Sequence, residues 1–180
     1  MQRSGTRGAH IIKDSAPVGA SEAQTDVFMT HSFKIHQFHL VWSTKKRLNL
    51  IEKSFQTRLY DYMGGIIKDY KGCLLEIGGI SNHVHLLISL SNLNHYSDLI
   101  RDIKAGSSLW VRKAVSGVGA KEFGWQEGYG SFCVNYSSID TVKRYIQNQE
   151  EHHRKHTFEE EFVKFLEAHN ISYDSRFVFD

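Results

Sequence analysis

Apolar and polar residues alternate along residues 33–44, FKIHQFHLVWST, which places Phe38, Leu40 and Trp42 on one face of a strand. The period then changes. Ile51, Phe55, Leu59, Met63, Ile66 and Ile67 recur at three- and four-residue spacing, the stripe of an amphipathic helix that Asn49 can cap and Gly72 closes. Two strand-length apolar runs follow, CLLEIG over 73–78 and HVHLLISL over 83–90, joined through Gly79, Ile80, Ser81 and Asn82 as a hairpin. A second helix, capped by Ser97 and broken by Gly117 and Gly119, carries Ile100, Ile103, Leu109 and Trp110. The aromatic, glycine-interrupted stretch FGWQEGYGSFCV over 123–134 predicts a fourth strand. Two helices close the pattern. Ser137 with Asp140 resembles a capping box opening a helix to about residue 155, and Thr157 with Glu160 opens the last, striped by Phe158, Phe162, Phe165 and Leu166.

Strand, helix, strand, strand, helix, strand is the split βαβ or ferredoxin-like order. It predicts an α+β fold with a four-stranded antiparallel sheet, helices on one face and the other face free for a ligand, followed by C-terminal helices. A length of 180 residues with 41% hydrophobic content fits one domain with a real core. Residues 1–28, rich in Gly, Ser, Ala and Thr and without sustained periodicity, read as a flexible leader or a mis-assigned start, leaving 29–180 as the single domain. The chain shows neither an apolar run of about 18 residues nor a secretory pattern, which predicts a cytoplasmic protein with no membrane partner. Cys73 and Cys133 lie in apolar stretches rather than a CxxC, so they are expected as buried thiols in a reducing compartment. A net charge of +2 permits nucleic-acid binding without requiring it, and the 11 histidines are the more unusual count.

Candidate chemistry begins at Asn82-His83-Val84-His85. Alternation along a strand puts His83 and His85 on one face with backbones roughly 6.6 Å apart, from where two imidazoles can converge on one ion, while Val84, Leu86 and Ile88 face the other side. In so apolar a strand, unpartnered buried imidazoles cost about 1 to 3 kcal/mol each, so pairing or metal binding is the reason to keep them. A pair of satisfied surface histidines is the plainer alternative. His36 and His39 are spaced to point to opposite faces and read as structural. On the helix after the fourth strand, TVKRYIQNQEEHHRKH, Tyr145 and Gln149 lie one turn apart at the edge of the stripe formed by Ile139, Val142 and Ile146. By itself Tyr145 suits ordinary packing, and the run from His152 to His156 suits a solvated, dipole-compensating helix end.

Taken together, HLVWSTKKR, NHVHLL, SDLIRDIKAGSS, GWQEGYGSFCV, YIQNQEEHHRK and the Tyr173-Asp174 region resemble one family across Phe38 to Asp180. It is the single-tyrosine HUH transposase family of IS-two-hundred-like bacterial insertion sequences. The resemblance implies the ferredoxin-like fold, a divalent ion on His83 and His85 with Gln149 completing the metal set, and Tyr145 as the nucleophile. Asn82 departs from the family, many of whose members carry Asp there. Tyrosine ionises near pH 10, so attack on a phosphodiester needs a cation that polarises the phosphate and favours the phenolate. Mixed nitrogen and oxygen donors point to Mg²⁺ or Mn²⁺. The implied product is a 5′-phosphotyrosine with a free 3′-OH, with no nucleotide cofactor.

The family further implies single-stranded DNA with subterminal hairpins as partner, in a bacterial cytoplasm, and a homodimer whose active sites are shared between chains. Candidate DNA contacts are Lys45, Lys46 and Arg47 after the first strand and Lys104 and Arg112 on the second helix. Two other readings stand beside this one. A replication initiator would use the same residues but ordinarily carries a further domain. A domesticated, non-cleaving hairpin-binding protein would keep the sheet and lose the chemistry.

Overall fold

A computed structural model describes residues 33–116, 120–176, 178 and 179. The leader expected over 1–28 lies outside them. Four strands, β1 (His36–Ser43), β2 (Cys73–Ile80), β3 (His83–Leu90) and β4 (Gly130–Cys133), form one antiparallel sheet in the order β2-β3-β1-β4. This is the ferredoxin-like order that the sequence predicts. Helices α1 (Lys53–Asp69) and α2 (Tyr96–Ala114) cover one face, burying Leu40, Trp42, Val84, Leu86 and Ile88 together with Phe55, Leu59, Met63, Ile100 and Ile103. The two periodicities agree here, because a strand's alternate residues and a helix's apolar stripe are buried against each other.

The opposite face is not free, contrary to the expectation from topology. Three C-terminal helices follow β4: α3 (Ile139–Gln147), α4 (Gln149–His152) and α5 (Phe158–Ala168). A second core of Val41, Phe132, Phe158, Phe162 and Leu166 forms between this sheet face and α5. The apolar stripe of α5 thus finds its partner within the chain. Close approach is built into the sequence at Gly78, where a Cβ would sit 2.6 Å from the Ile146 carbonyl oxygen; only glycine lets α3 lie so near β2.

Several local expectations shift. The helix of 139–155 is two pieces, because Asn148 leaves helical geometry (φ −97°, ψ 19°) and its backbone N–H is shared between the carbonyls of Arg144 and Tyr145. Ser138 rather than Ser137 precedes α3 and makes no side-chain cap, whereas the Thr157–Glu160 capping box forms in full. Asn49 does not cap α1. Its side-chain oxygen accepts from Ser81 Oγ, and Glu52 occupies the cap position. His95, not Ser97, precedes α2. The fourth strand is only Gly130–Cys133, since Phe123 and Trp125 turn their rings into the main core and only one bridge, Thr44 with Trp125, extends the pairing. Cys73 and Cys133 are exposed, not buried, because each lies on an edge strand. No helix among the described residues is long and apolar enough to cross a membrane.

Candidate active site

His83 and His85 leave β3 on the face turned toward α3–α5, beside Val41 and Ser43 in the β1 register, and both are fully buried. The break at Asn148 redirects the chain so that Gln149 and His153 enter the same space, and α5 brings in Glu161, a carboxylate only 2% exposed. Ligand atoms of His83, His85, His153 and Glu161 all lie within 4.8 Å of one another. Glu161 Oε2 stands 3.3 Å from His85 Nε2, 3.3 Å from His153 Nε2 and 3.8 Å from His83 Nε2. Its Oε1 faces the other way, accepting from Gln149 Nε2 at 2.9 Å and from the Tyr145 hydroxyl. Gln149 Oε1 lies 3.1 Å from His83 Nε2.

Each imidazole is anchored through Nδ1. That of His83 meets Asn82 Oδ1 at 2.7 Å, that of His85 meets His39 Nε2 at 2.9 Å, and that of His153 meets the His156 carbonyl at 2.9 Å. A neutral imidazole that donates through Nδ1 presents a lone pair at Nε2, the arrangement that orients histidine toward a metal. His85 Nε2, His153 Nε2 and Glu161 Oε2 are buried without a hydrogen-bond partner. The three atoms have only one another, each imidazole 3.3 Å from the carboxylate oxygen, and such a convergence of buried ligand atoms fits a bound cation better than an apolar core.

Electrostatics follow burial. Burial, then the neighbouring His85, pushes the His83 pKa down to about 3, and the same two causes hold His39 well below the ordinary histidine value. Burial opposes the charge of Glu161, yet the imidazoles of His153 and His85 and the Tyr145 hydroxyl outweigh it and keep the carboxyl far below its usual range. Burial and the Glu161 carboxylate raise Tyr145 above an ordinary phenol. His153 is also opposed by burial and raised by Glu161.

The sequence profile described as Transposase IS200 like matches residues 32–149. The chain belongs to this family. Among solved structures, it is similar to a proposed transposase from Deinococcus radiodurans R1 (20% identity, TM-score 0.53, covering 66% of this chain and 94% of that one). It is also similar to a REP-associated tyrosine transposase bound to a REP hairpin (14% identity, TM-score 0.53, 68% and 71% covered). Both likenesses are of fold. Among curated proteins none matches the chain.

In this IS200-like transposase the sequence-predicted His83, His85, Tyr145 and Gln149 come together. The Tyr145 ring centroid is 5.9 Å from that of His85 within the one chain. Two participants, His39 and Glu161, are not evident from the sequence, and a third ranks there behind Gln149. His39, which its spacing from His36 presents as structural, bonds His85. His153, two turns beyond Tyr145 on the same general side and a rival to Gln149 as ligand, has its side chain in the pocket. Glu161 is hidden in an acidic first turn, and its place one residue before the stripe residue Phe162 is only a faint signal of burial.

The transposase's predicted DNA contacts divide. Lys45 and Lys46 are exposed on a 3₁₀ turn beside a cavity of about 540 Å³ lined also by Trp125, Gln126 and Phe179. Arg47 is occupied, pairing with Glu159 at 2.7 Å and donating to the Phe179 carbonyl at 2.6 Å. Lys104 donates to the carbonyls of Glu127 and Gly128, and Arg112 to that of Phe123, so both tether the 123–128 segment to α2. The half-buried Tyr145 reaches a groove of about 530 Å³ lined by Arg144, His152, Lys155 and His156.

Proposed function

We propose that this chain cleaves and rejoins single-stranded DNA at the ends of a mobile element, as a metal-dependent tyrosine transposase. The observation that carries the reading is the joint placement of Tyr145 and the orphaned nitrogen and oxygen atoms of a buried histidine–carboxylate pocket, within a chain of the transposase family.

His83 and His85 are the histidines that would hold a divalent ion, Mg²⁺ or Mn²⁺, with Gln149 as the third group suggested by sequence. When bound, the ion supplies Lewis-acid polarisation of a scissile phosphate and offsets the carboxylate charge beside the phenol. The chain's own residues do the rest. Arg144 and Lys155 give the Tyr145 groove the cationic lining that a phosphodiester needs. Glu161 Oε1 accepts a hydrogen bond from the Tyr145 hydroxyl and holds it in place, with His152 Nε2 3.4 Å away. The Tyr145 oxygen bonds to phosphorus as it gives up its proton, the bond from phosphorus to the 3′ oxygen breaks, and a proton equivalent to the one released by the phenol ends on the 3′ oxygen. The 5′-phosphotyrosine conserves the bond, so a 3′-OH reverses the step without a nucleotide cofactor.

Hairpin-bearing single strands are the proposed substrate, in line with the hairpin bound by the REP-associated relative. The histidines, tyrosine and carboxylate meet within one chain, which favours sites formed in each subunit over sites shared between the chains of a homodimer. A cytoplasmic location in a bacterium follows from the same reading. The test is covalent capture: wild type incubated with hairpin-bearing single-stranded DNA and Mn²⁺ should form an adduct mapping to Tyr145 by mass spectrometry. Tyr145→Phe should lose the adduct and keep hairpin binding. Hairpin binding by wild type with no adduct in any divalent ion would favour the non-cleaving alternative.

A further inference from the structure

We infer that His153 and Glu161, both beyond the family-matched segment, join His83 and His85 in the ion site, and that the Gln149 side-chain nitrogen steers Glu161. The inference rests on the metal-dependent reading above and adds to its ligand set.

Partnering separates the candidates. The Gln149 nitrogen is committed to Glu161 Oε1, whereas His85 Nε2, His153 Nε2 and Glu161 Oε2 have no hydrogen-bond partner and face one another, each imidazole 3.3 Å from the carboxylate oxygen. Anchoring points the same way. His153 donates Nδ1–H to the His156 carbonyl just as His83 and His85 are anchored by Asn82 and His39, so all three rings turn Nε2 toward the Glu161 oxygen. Such partners are the usual companions of metal-binding histidines, and no solvent-exposed histidine needs one. Glu161 divides its oxygens between the two halves of the site, Oε2 for the ion pocket and Oε1 for Tyr145 and Gln149. A carboxylate shared in this way fixes the distance between nucleophile and ion through one rigid planar group. His153 lies on the turn after α4 and Glu161 on α5, so the ion also ties down the helices that close the sheet.

The chemistry of the donors sets the preference. Three imidazoles and one carboxylate suit Mn²⁺, Co²⁺ or Zn²⁺, while Mg²⁺ prefers oxygen donors and near-ideal octahedral geometry. Mg²⁺ should therefore bind far more weakly than Mn²⁺.

The experiment is metal binding by the whole chain, without DNA. Chelator-stripped protein is titrated with Co²⁺ against a fluorescent chelator, with circular dichroism confirming that each variant is folded. His153→Ala and Glu161→Gln should each weaken Co²⁺ binding at least tenfold. X-ray absorption on Co²⁺-loaded wild type, which needs no variant, should count three imidazoles. Two imidazoles, or full Co²⁺ affinity in His153→Ala and Glu161→Gln, overturns this ligand set and leaves the metal-dependent reading intact. Failure of wild type to bind Co²⁺, Mn²⁺ or Zn²⁺ overturns both.

Discussion

Nε2 of His39 lies 2.9 Å from Nδ1 of His85, a buried bond that joins β1 to β3 beneath the ion pocket. With the His85 Nδ1–H as donor, Nε2 of His39 is the acceptor, and burial holds His39 in the neutral form that can accept. His39→Leu leaves the His85 N–H buried and unpaired, at a cost of about 1–3 kcal/mol. It should also weaken Mn²⁺ binding by roughly 10–100-fold, the usual effect of losing a partner behind a ligand. His39→Gln, which restores an acceptor oxygen, should recover part of both. Thermal denaturation and Mn²⁺ titration measure the two effects, and unchanged values in His39→Leu would remove the residue from the site.

Because His83, His85 and Tyr145 meet in one chain, variants lacking different halves should not rescue each other. A subunit-exchanged mixture of His83→Ala and Tyr145→Phe is expected to show no cleavage of single-stranded DNA. Recovered cleavage would instead require the tyrosine of one chain to serve the histidines of another, and would restore the shared-site arrangement.

The basic residues separate by partner. Lys45 and Lys46 are exposed beside the Trp125 cavity, whereas Lys104 and Arg112 are spent on backbone carbonyls. Lys45→Ala or Lys46→Ala should lower the salt dependence of single-strand binding, by about 0.7 in the log–log slope for each phosphate no longer neutralised. Lys104→Ala and Arg112→Ala should lower the melting temperature by releasing the 123–128 segment and leave that slope unchanged. Equal slopes for all four variants would contradict the division.

Alkaline stability follows from two tyrosines outside the site. Burial raises both Tyr60 and Tyr96 to about 12. A phenol with its folded pKa above its unfolded value favours folding below about pH 10, and that contribution disappears as the pH climbs toward 12. Denaturant midpoints should therefore fall across this window. Tyr60→Phe and Tyr96→Phe should each flatten the fall, as followed by fluorescence, while tyrosinate absorbance shows both phenols ionising above the ordinary tyrosine range. An unaltered slope in the double variant would refute the assignment.

Much of this site is legible in the sequence because it depends on short-range periodicity. The alternation that sends His83 and His85 one way and Val84, Leu86 and Ile88 the other belongs to the strand itself, as does the one-turn spacing of Tyr145 and Gln149 to the helix. His39 is opaque for the opposite reason. Its spacing from His36 concerns only its own strand, whereas its partner sits across the β1–β3 pairing, where Val41 stands opposite His85. His153 depends on the break at Asn148, which a continuous helical stripe conceals, and Glu161 on how α5 docks against Val41 and Phe132. The exposed cysteines elude the pattern similarly: an apolar strand sequence does not say whether the strand ends at the edge of its sheet.

The pocket draws on residues from His39 to Glu161, so no partial chain holds it together. Contacts this distant in sequence close late in folding, and a nascent chain emerging from the ribosome has histidines long before it has the carboxylate that faces them. A copy of the gene interrupted before codon 158 would consequently yield no sluggish enzyme. Its product would present the bare Val41 and Phe132 face of the sheet to solvent, an invitation to aggregation and proteolysis. Decay of the reading frame would thus act at the level of protein survival before any question of chemistry arose.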